Sequence, residues 1–279
     1  MTTASHVLIA SIALCLGSAS VAAAESYDNC VGFIDSLPAT ISTQGVWCLR
    51  DDLSTSMASG NAITIANNNV TIDCNDFKLG GMAAGDASTA IGIYAQERQN
   101  ATVRNCNVRG FFVGIYLYYG AGHLAEDNRL DNNLRYGIAV FGGNSLVQRN
   151  RVFDTGGSPA SSASYGIGAE ADVIDNTVAG VFATDTNTHP RGIVVYGSGS
   201  EARGNRVRGL VVGGAGNAIG IEAKGSGITL ADNRVSAEAA TAGDGINGDE
   251  STFCTGNTAV NFATAYDGCG HVFGNLSAP

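Results

Sequence analysis

Gly137-Ile138-Ala139-Val140-Phe141, followed by Ser145-Leu146-Val147-Gln148-Arg149-Asn150-Arg151-Val152, is the stretch that decides the fold. Both runs alternate apolar residues with a period of two, which is typical of β-strands, and neither has a helical pattern. Asn150 marks a position at which the chain turns. The unit is therefore built from short strands separated by turns.

The same unit recurs along the chain. A Gly-Ile pair is found seven times, at intervals of 22, 23, 29, 26, 28 and 25 residues. The pairs are Gly92-Ile93, Gly114-Ile115, Gly137-Ile138, Gly166-Ile167, Gly192-Ile193, Gly220-Ile221 and Gly245-Ile246. An asparagine followed two residues later by an apolar residue recurs in step, at Asn128, Asn150, Asn176, Asn205 and Asn233. Repeats of this length are typical of stacked units that bury a core only together.

The length of the unit indicates how it folds. Such a repeat has room for three short strands and three turns, and stacked coils would form parallel sheets that advance about 4.8 Å per coil. The 38 glycines and 4 prolines suit this fold, because sharp turns favour glycine while strand pairing needs backbone N–H groups. Leucine-rich repeats need several leucines at fixed positions, and leucine is sparse here. The sequence predicts an all-β chain folded as a parallel β-helix.

The recurring asparagine predicts a ladder of side-chain amides. Asparagine tolerates the left-handed turn conformation and bonds to nearby backbone, so the same turn in successive coils would stack these side chains. Asn257 is expected to continue the ladder, and Cys106 to take the same place one coil before Asn128. The alternative, that these asparagines bind a ligand, is left open.

The N-terminal region predicts export. Val7–Leu16 is apolar but too short to span a bilayer, and Ala22–Ala24 resembles a cleavage site. We expect a signal peptide at 1–24, an N-terminal cap at 25–59, where the repeat is missing, and the β-helix at 60–279. The mature protein is expected to be soluble and secreted or periplasmic, without membrane insertion.

The cysteines support that compartment. Of seven, six remain after Cys15 is removed with the signal peptide, and an even number in an exported chain indicates disulfides. Fifteen pairings are possible, and proximity together with the repeat favours three of them. These are Cys30–Cys48, Cys74–Cys106 and Cys254–Cys269. No CxxC pair or paired histidine is present, so neither a metal nor another cofactor is predicted.

The formal charge of −10 argues against a nucleic-acid partner, because no basic excess is available to displace counterions. It also weakly disfavours a strongly anionic polymer, although local patches of charge override net charge.

Three segments carry a resemblance to a known family. Asn69-Val70-Thr71-Ile72-Asp73-Cys74-Asn75, then Gly92-Ile93, then Ala101-Thr102-Val103-Arg104-Asn105-Cys106-Asn107-Val108-Arg109-Gly110-Phe111 resemble bacterial right-handed parallel β-helix proteins of the pectate-lyase-like superfamily. The similarity is to uncharacterised exported members and covers residues 60–265. It implies a right-handed helix, which we expect to have about eight coils and an N-terminal cap. The superfamily includes lyases, hydrolases, epimerases, tailspikes and adhesins, so the resemblance does not choose a function.

The signatures of the catalytic branches are missing. There is no Asp-Pro-His-Asp run of the alginate epimerase type, and Pro190-Arg191 reverses the Arg-x-Pro order of the pectate lyase base. The aspartate cluster and Gly-His-Gly of polygalacturonases are also missing.

Strand alternation predicts which side chains face outward. If each isoleucine of a Gly-Ile pair faces inward, the first and third residues after it face out. The first outward column is then Tyr94, Tyr116, Ala139, Gly168, Val194, Glu222 and Asn247. The second is Gln96, Tyr118, Phe141, Glu170, Tyr196, Lys224 and Asp249.

These columns predict a carbohydrate-binding surface. The candidate binding residues are Tyr116, Tyr118, Phe141, Tyr196, Lys224 and Asp249. Exposed aromatic rows often mark binding surfaces, and aromatic rings can stack on sugars while polar groups bond hydroxyls. Alternatively, the longer loops at Gly156–Ser164 and Val181–Pro190 cover the rings as a satellite core.

Four residues are candidates for catalysis. His189 and Arg191 would serve a lyase as base and charge neutraliser. Glu170 and Glu222 would form a hydrolase pair if their carboxyl groups were about 5 to 10 Å apart. The alternative is a non-catalytic surface or assembly protein whose solenoid presents loops. Whether the protein is an enzyme stays open from the sequence.

A column of arginines follows the asparagines, at Arg129, Arg151, Arg206 and Arg234, with Asp127, Asp175 and Asp232 two positions before three of them. A surface ladder of Asp–Arg pairs is expected, each pair contributing little. The alternative is a track for carboxylated or sulfated sugar.

Overall fold

The computed structural model describes residues 27–161, 163–182 and 189–278, without the side chains of residues 239–241. Within these ranges the chain forms 27 β-strands and one short 3₁₀ helix, Met82–Ala84, and no α-helix. The strands wind into a right-handed parallel β-solenoid of about eight turns, as predicted. The predicted signal peptide, residues 1–24, lies outside the described ranges.

The strands of the first half, in chain order, are β1 (Cys30–Phe33), β2 (Ala39–Ile41), β3 (Gly45–Cys48), β4 (Leu53–Ser54), β5 (Asn61–Ile65), β6 (Val70–Asp73), β7 (Lys78–Gly80), β8 (Ile91–Gln99), β9 (Thr102–Arg104), β10 (Asn107–Arg109), β11 (Val113–Ala121), β12 (Leu124–Glu126), β13 (Arg129–Asp131) and β14 (Tyr136–Gln148). Those of the second half are β15 (Arg151–Gly156), β16 (Tyr165–Ile174), β17 (Thr177–Phe182), β18 (Arg191–Val195), β19 (Glu201–Arg203), β20 (Arg206–Val211), β21 (Ala218–Ala223), β22 (Thr229–Ala231), β23 (Arg234–Asn247), β24 (Phe253–Thr255), β25 (Thr258–Asp267), β26 (His271–Phe273) and β27 (Leu276–Ala278).

Parallel pairing between successive coils gives the solenoid three faces. The first face holds β2, β5, β8, β11, β14, β16, β18, β21, β23 and β25. The second holds β1, β3, β6, β9, β12, β14, β16, β19, β22, β24 and β26. The third holds β4, β7, β10, β13, β15, β17, β20, β23, β25 and β27. Long strands such as β14 contribute to two faces because they bend at a corner.

The isoleucines of the repeat form one column of the core. Each pairs in register with its neighbours in adjacent coils, and all are fully buried. The column is Ile63, Ile93, Ile115, Ile138, Ile167, Ile193, Ile221 and Ile246. The Gly-Ile period therefore reports the winding of the chain.

The glycine before each isoleucine is needed for space. A Cβ on Gly166 would lie 2.4 Å from Val178 Cγ1, on the third face, and 2.6 Å from the Gly192 carbonyl oxygen. Gly192 is equally crowded, with Val207 Cγ1 at 2.3 Å. Since both glycines point into the core, no side chain larger than hydrogen fits there.

The asparagine ladder is confirmed. Asn128 Nδ2 donates to Asn150 Oδ1 at 3.0 Å, and each later rung repeats the bond. Asn257 continues the ladder, and Cys106 takes the predicted place because its N–H donates to Asn128 Oδ1. The ladder asparagines are almost fully buried, from Asn128 to Asn257. Their amides are used by the turn itself, which leaves none facing a ligand.

One detail of the ladder prediction is wrong. The left-handed conformation belongs to the residue before the ladder asparagine, with φ of 54° at Asp127 and Arg149 and 56° at Asp175. The asparagine itself uses its side chain to bond the neighbouring coil, which requires it to point inward rather than to form the bend.

The three predicted disulfides are present, at Cys30–Cys48, Cys74–Cys106 and Cys254–Cys269. The middle one joins neighbouring coils, whereas the other two lie towards the ends of the described solenoid. They add covalent links where a terminal coil has a neighbour on one side only.

Residues before 60 extend the solenoid. β2, β3 and β4 pair in parallel with β5, β6 and β7, so each face gains a strand there. The boundary between a cap at 25–59 and the helix at 60–279 stays a prediction. No helix in the described part of the chain is long and apolar enough to cross a membrane.

Candidate functional site: the outward surface of the first face

The two predicted outward columns are in register. Tyr116 pairs with Tyr94 and Ala139, and the column continues through Gly168 and Val194 to Glu222. In the second column Tyr118 pairs with Phe141, which pairs with Glu170. Alternation after the isoleucine therefore located these positions correctly.

A third outward column escaped the sequence analysis. It lies just before each Gly-Ile pair and contains Ile91, Val113, Tyr136, Tyr165, Arg191, Ile219 and Asp244. Strict alternation from the isoleucine assigns this column to the core. Because the glycine also points inward, alternation is interrupted there and the preceding residue returns to the surface. The signal was the constant spacing from the glycine.

The four predicted aromatic residues form a continuous cluster, hereafter the aromatic cluster. Ring centroids are 5.2 Å apart for Tyr116 and Tyr118, 6.4 Å for Tyr118 and Phe141, and 5.5 Å for Phe141 and Tyr196. All four side chains are half-buried, so each ring keeps part of its surface open to solvent. The cluster follows the solenoid axis over neighbouring coils.

A second aromatic pair lies beside it. Tyr136 and Tyr165 stack with centroids 4.4 Å apart and planes 4° from parallel, and the guanidinium of Arg191 lies 5.6 Å over Tyr165. Burial raises the pKa of Tyr136 and of Tyr196 above the ordinary value. These hydroxyls therefore stay protonated at neutral pH and are suited to hydrogen bonding rather than to acting as bases.

Glu222 lies between two cations. Its Oε2 is 2.6 Å from Arg191 Nε and its Oε1 is 3.3 Å from Lys224 Nζ. The side chains of Arg191 and Glu222 are only 17% and 10% exposed. Both carboxylate oxygens are thus engaged, which leaves Glu222 without a free oxygen for acid–base chemistry.

Glu170 stands apart from Glu222. It is exposed, and it makes no ion pair with any described residue. The two residues are two coils apart, which is roughly 10 Å along the axis before the sideways offset is added. The structure therefore brings Glu222 to Arg191 rather than to Glu170.

His189 and Arg191 are neighbours whose side chains do not meet. His189 Nδ1 accepts a hydrogen bond from the Asn217 N–H at 3.1 Å, and Arg191 Nη1 donates to the His189 carbonyl oxygen at 3.5 Å. Arg191 turns its Nε towards Glu222 instead. The insertion Val181–Pro190 that precedes this pair lies partly outside the described residues.

Asp249 serves its own turn. Its Oδ1 accepts hydrogen bonds from the Ser251 N–H at 2.8 Å, the Ser251 hydroxyl at 2.7 Å and the Thr252 hydroxyl at 3.1 Å. The bond from the Ser251 hydroxyl, with the others, holds the pKa of Asp249 below its ordinary value. The carboxylate is already occupied by local bonds.

Two concave regions flank the aromatic cluster. The aromatic cavity, of about 300 Å³, is lined by Thr89, Ile91, Phe112, Val113, Tyr116, Arg135, Tyr136, Ala139 and Phe141. The polar cavity, of about 490 Å³, is lined by Gly143, Asn144, Ser145, Glu170, Ala171, Asp172, Tyr196, Gly197, Ser198, Gly199 and Ser200. Phe141 borders the first and Tyr196 the second, so the cluster connects two places of suitable shape for a ligand.

The arginine column lies on the third face and is exposed, as predicted, but its predicted partners are different. The aspartate that forms a close pair is Asp127, with Arg149 at 2.7 Å. Arg129 and Arg151 flank the ring of Phe153 at 5.3 and 5.4 Å. Among described residues, none of the four column arginines pairs with Asp127, Asp175 or Asp232. The aspartates occupy the left-handed turn position, and their side chains do not meet those of the arginine column.

The family model described as right handed beta helix region matches residues 41–191, which is more than half of the chain. The protein belongs to this family. No curated protein matches its sequence.

Solved structures resemble this right-handed β-helix protein in fold. Pectate lyase Pel9A superposes with a TM-score of 0.58 at 11% identity, covering 90% of this chain and 79% of the lyase. A double mutant of the periplasmic alginate epimerase AlgG gives 0.51 at 12% identity, covering 86% and 76% of the two chains. Likeness at such low identity establishes the fold alone.

No candidate metal centre is found in this β-helix protein within residues 27–161, 163–182 and 189–278, where no three His, Cys, Asp or Glu side chains are grouped to hold an ion. The one charged group of the aromatic cavity, Arg135, was not singled out from the sequence. It lies just before Tyr136, next to the column that alternation misassigned.

Proposed function

We propose that this β-helix protein binds a polysaccharide along the outward surface of its first face. The observation that carries the proposal is the aromatic cluster of Tyr116, Tyr118, Phe141 and Tyr196, which joins two cavities. Concave sites lined by aromatic rings and a few polar groups are the usual form of ligand sites, and contiguous apolar surface left open to solvent often marks binding.

The shape of the cluster favours a chain over a single sugar. Tyr118 and Tyr196 are three coils apart, which is roughly 14 Å along the axis. Each coil repeats the same outward positions, so a polymer lying along the axis meets equivalent surface at each step. A single sugar would use one cavity and leave the remaining rings unexplained.

The proposal is binding, and it assigns no bond cleavage. Glu222 is neutralised by Arg191 and Lys224, Asp249 is held in its turn, and the Tyr136 hydroxyl stays protonated. Lyase and hydrolase chemistry by Glu170, Glu222, His189 and Arg191 would each need a rearrangement of these contacts.

We also propose that the protein acts outside the cytoplasm, secreted or in the periplasm. Its three disulfides support this location, because disulfides persist in oxidising compartments and are rare where thiols are kept reduced.

A glycan array with the purified protein tests the function. We expect wild type to bind at least one polysaccharide, and Tyr118→Ala and Tyr196→Ala to lower its affinity about tenfold each, as loss of a contact ring at a binding centre does. Phe273→Ala is the matched control, because Phe273 is 81% exposed and lies on β26, away from the cluster. Wild type that binds no glycan, or that binds as well after both substitutions, would favour the non-catalytic assembly role.

A further inference from the structure

Arg135 is the only charged residue among those lining the aromatic cavity. Its guanidinium lies 5.5 Å from the ring of Phe112 and 5.2 Å from the ring of Tyr136. Tyr116 and Phe141, from the aromatic cluster, border the same cavity. The cation is thus held between two rings at the edge of the proposed binding surface, which fixes its plane.

Arg135 has no acidic partner among the described residues. Its Nε is buried and makes no hydrogen bond there. Arg191, on the same face, differs in that its Nε lies 2.6 Å from Glu222 Oε2. A buried charged donor without an acceptor is costly, and each such group in a folded protein calls for an explanation. A ligand that supplies the missing acceptor provides one.

The chemistry of the cavity defines that acceptor. A guanidinium presents a planar fork of N–H donors that matches the two oxygens of a carboxylate, and such bidentate pairs are among the strongest hydrogen bonds in proteins. The surrounding rings offer apolar surface to the body of a sugar. Burial raises the pKa of the Tyr116 hydroxyl, so this group too remains a potential donor.

We infer that Arg135 is the anion subsite of the aromatic cavity and binds the carboxylate of an acidic sugar unit, so that the polysaccharide is a uronic acid polymer. The inference rests on the proposed function and names its substrate class. The net charge of −10 opposes such a polymer at long range, but the unpaired cation acts at contact distance, where the local charge decides.

Binding measurements with matched oligosaccharides test the subsite. The probes are an oligogalacturonate, the same oligomer with every carboxyl group methyl-esterified, and a sulfated oligosaccharide of equal length. We expect the acidic oligomer to bind best and Arg135→Gln to weaken it about 10- to 100-fold, as loss of a charge-assisted hydrogen bond does. Binding of the ester should not change. Arg208→Gln, an equal charge change at an exposed position on the third face, should leave all three unaffected.

The outcomes separate this inference from the proposed function. If the ester binds as well as the acid and Arg135→Gln changes neither, polysaccharide binding stands and the subsite is overturned. Tighter, Arg135-dependent binding of the sulfated probe overturns the carboxylate assignment. Arg135→Lys provides a second variant that keeps the charge but not the fork, and we expect an intermediate loss.

A second readout does not depend on polymer binding. The Nε–H resonance of Arg135, assigned by its loss in Arg135→Gln, should shift when galacturonate is added and stay in place with galactose. An unchanged resonance overturns the subsite, even where the glycan array finds a ligand.

Discussion

Glu222 Oε2 accepts a hydrogen bond from Arg191 Nε at 2.6 Å, across 31 residues of sequence and one step of the solenoid. Lys224 approaches the other carboxylate oxygen from the same strand, β21, and its flank. The three side chains form the most buried charged group of the first face, since Arg191 and Glu222 are 17% and 10% exposed. They tie β18 to β21 on the outside of the solenoid.

Glu222→Gln is expected to lower the free energy of unfolding by about 1.5 to 3 kcal/mol. The amide cannot neutralise Arg191, and hydrogen bonds to charged groups contribute about that much. Urea denaturation at neutral pH measures the change. The control is Glu201→Gln, whose carboxylate pairs with Arg203 at 3.1 Å while the two side chains are 34% and 47% exposed. Exposed pairs contribute less than about 1 kcal/mol, so equal losses for both variants would contradict the prediction.

Gly166→Ala is expected to destabilise the fold by about 2 to 3 kcal/mol or more, because overpacking a well-packed core has a penalty of this order. The new Cβ would lie 2.4 Å from Val178 Cγ1 and 2.6 Å from the Gly192 carbonyl oxygen. Gly143→Ala is the matched control, since nothing lies within 4 Å of the Cβ it would add. Thermal unfolding should show a much lower transition for the first variant and little change for the second. A wild-type transition in Gly166→Ala would mean that the crowding does not limit the site.

Asn176→Ala is expected to cost about 3 kcal/mol or more of stability. Its Oδ1 accepts from the Asn150 N–H at 2.9 Å and from Asn150 Nδ2 at 3.0 Å, and its Nδ2 donates to the Val147 carbonyl oxygen at 2.9 Å. Removing it leaves several buried groups unpaired, at about 1 to 3 kcal/mol each. Asn275→Ala, on a half-buried rung, should lose less in the same chemical denaturation. A reversed order would show that the interior rungs relax freely.

His123 is expected to make stability depend on pH. The side chain is 1% exposed, its Nδ1 accepts from the Ala101 N–H at 3.3 Å, and its Nε2 is 2.9 Å from the Tyr119 carbonyl oxygen. Burial lowers the pKa of His123 in the folded state below the ordinary value of 6.5. The unfolded chain then binds more protons than the folded one, so this contribution is complete above pH 6.5 and is lost as the pH falls through the folded-state pKa.

The measurement is the free energy of unfolding of wild type and His123→Gln between pH 7.5 and about 5. Other titrating groups are common to both proteins, so the difference between the two curves isolates residue 123. We expect the variant's curve to fall less steeply below pH 6.5. Parallel curves would show that His123 titrates alike in the folded and unfolded states.

The sequence predicted the fold well because each coil carries its own markers. The isoleucine after glycine and the ladder asparagine are fixed by the packing of one coil on the next, so their spacing follows the winding of the chain. The disulfide at Cys74–Cys106 followed from the same register, since Cys106 stands where later coils have asparagine.

The site was predicted only in part. Tyr116, Tyr118, Phe141 and Tyr196 were found by alternation, but Arg135 and the Tyr136–Tyr165 stack were not, because the inward-pointing glycine interrupts the period of two. The partner of Glu222 was also missed. Coil length varies with the surface loops, so the sequence separation of a pair gives no direct measure of which side chains meet across coils.

The direction of the asparagine ladder has a consequence for how such proteins change size. Each rung donates its backbone N–H to the amide oxygen of the following coil, as Asn150 does to Asn176 and Asn176 to Asn205. A segment running from one ladder asparagine to the next therefore brings one acceptor and uses one, and it can be duplicated or removed without leaving a donor unmatched. Each such step would lengthen or shorten the outward surface by about 4.8 Å, so the reach of the protein along a polymer is adjustable in whole coils.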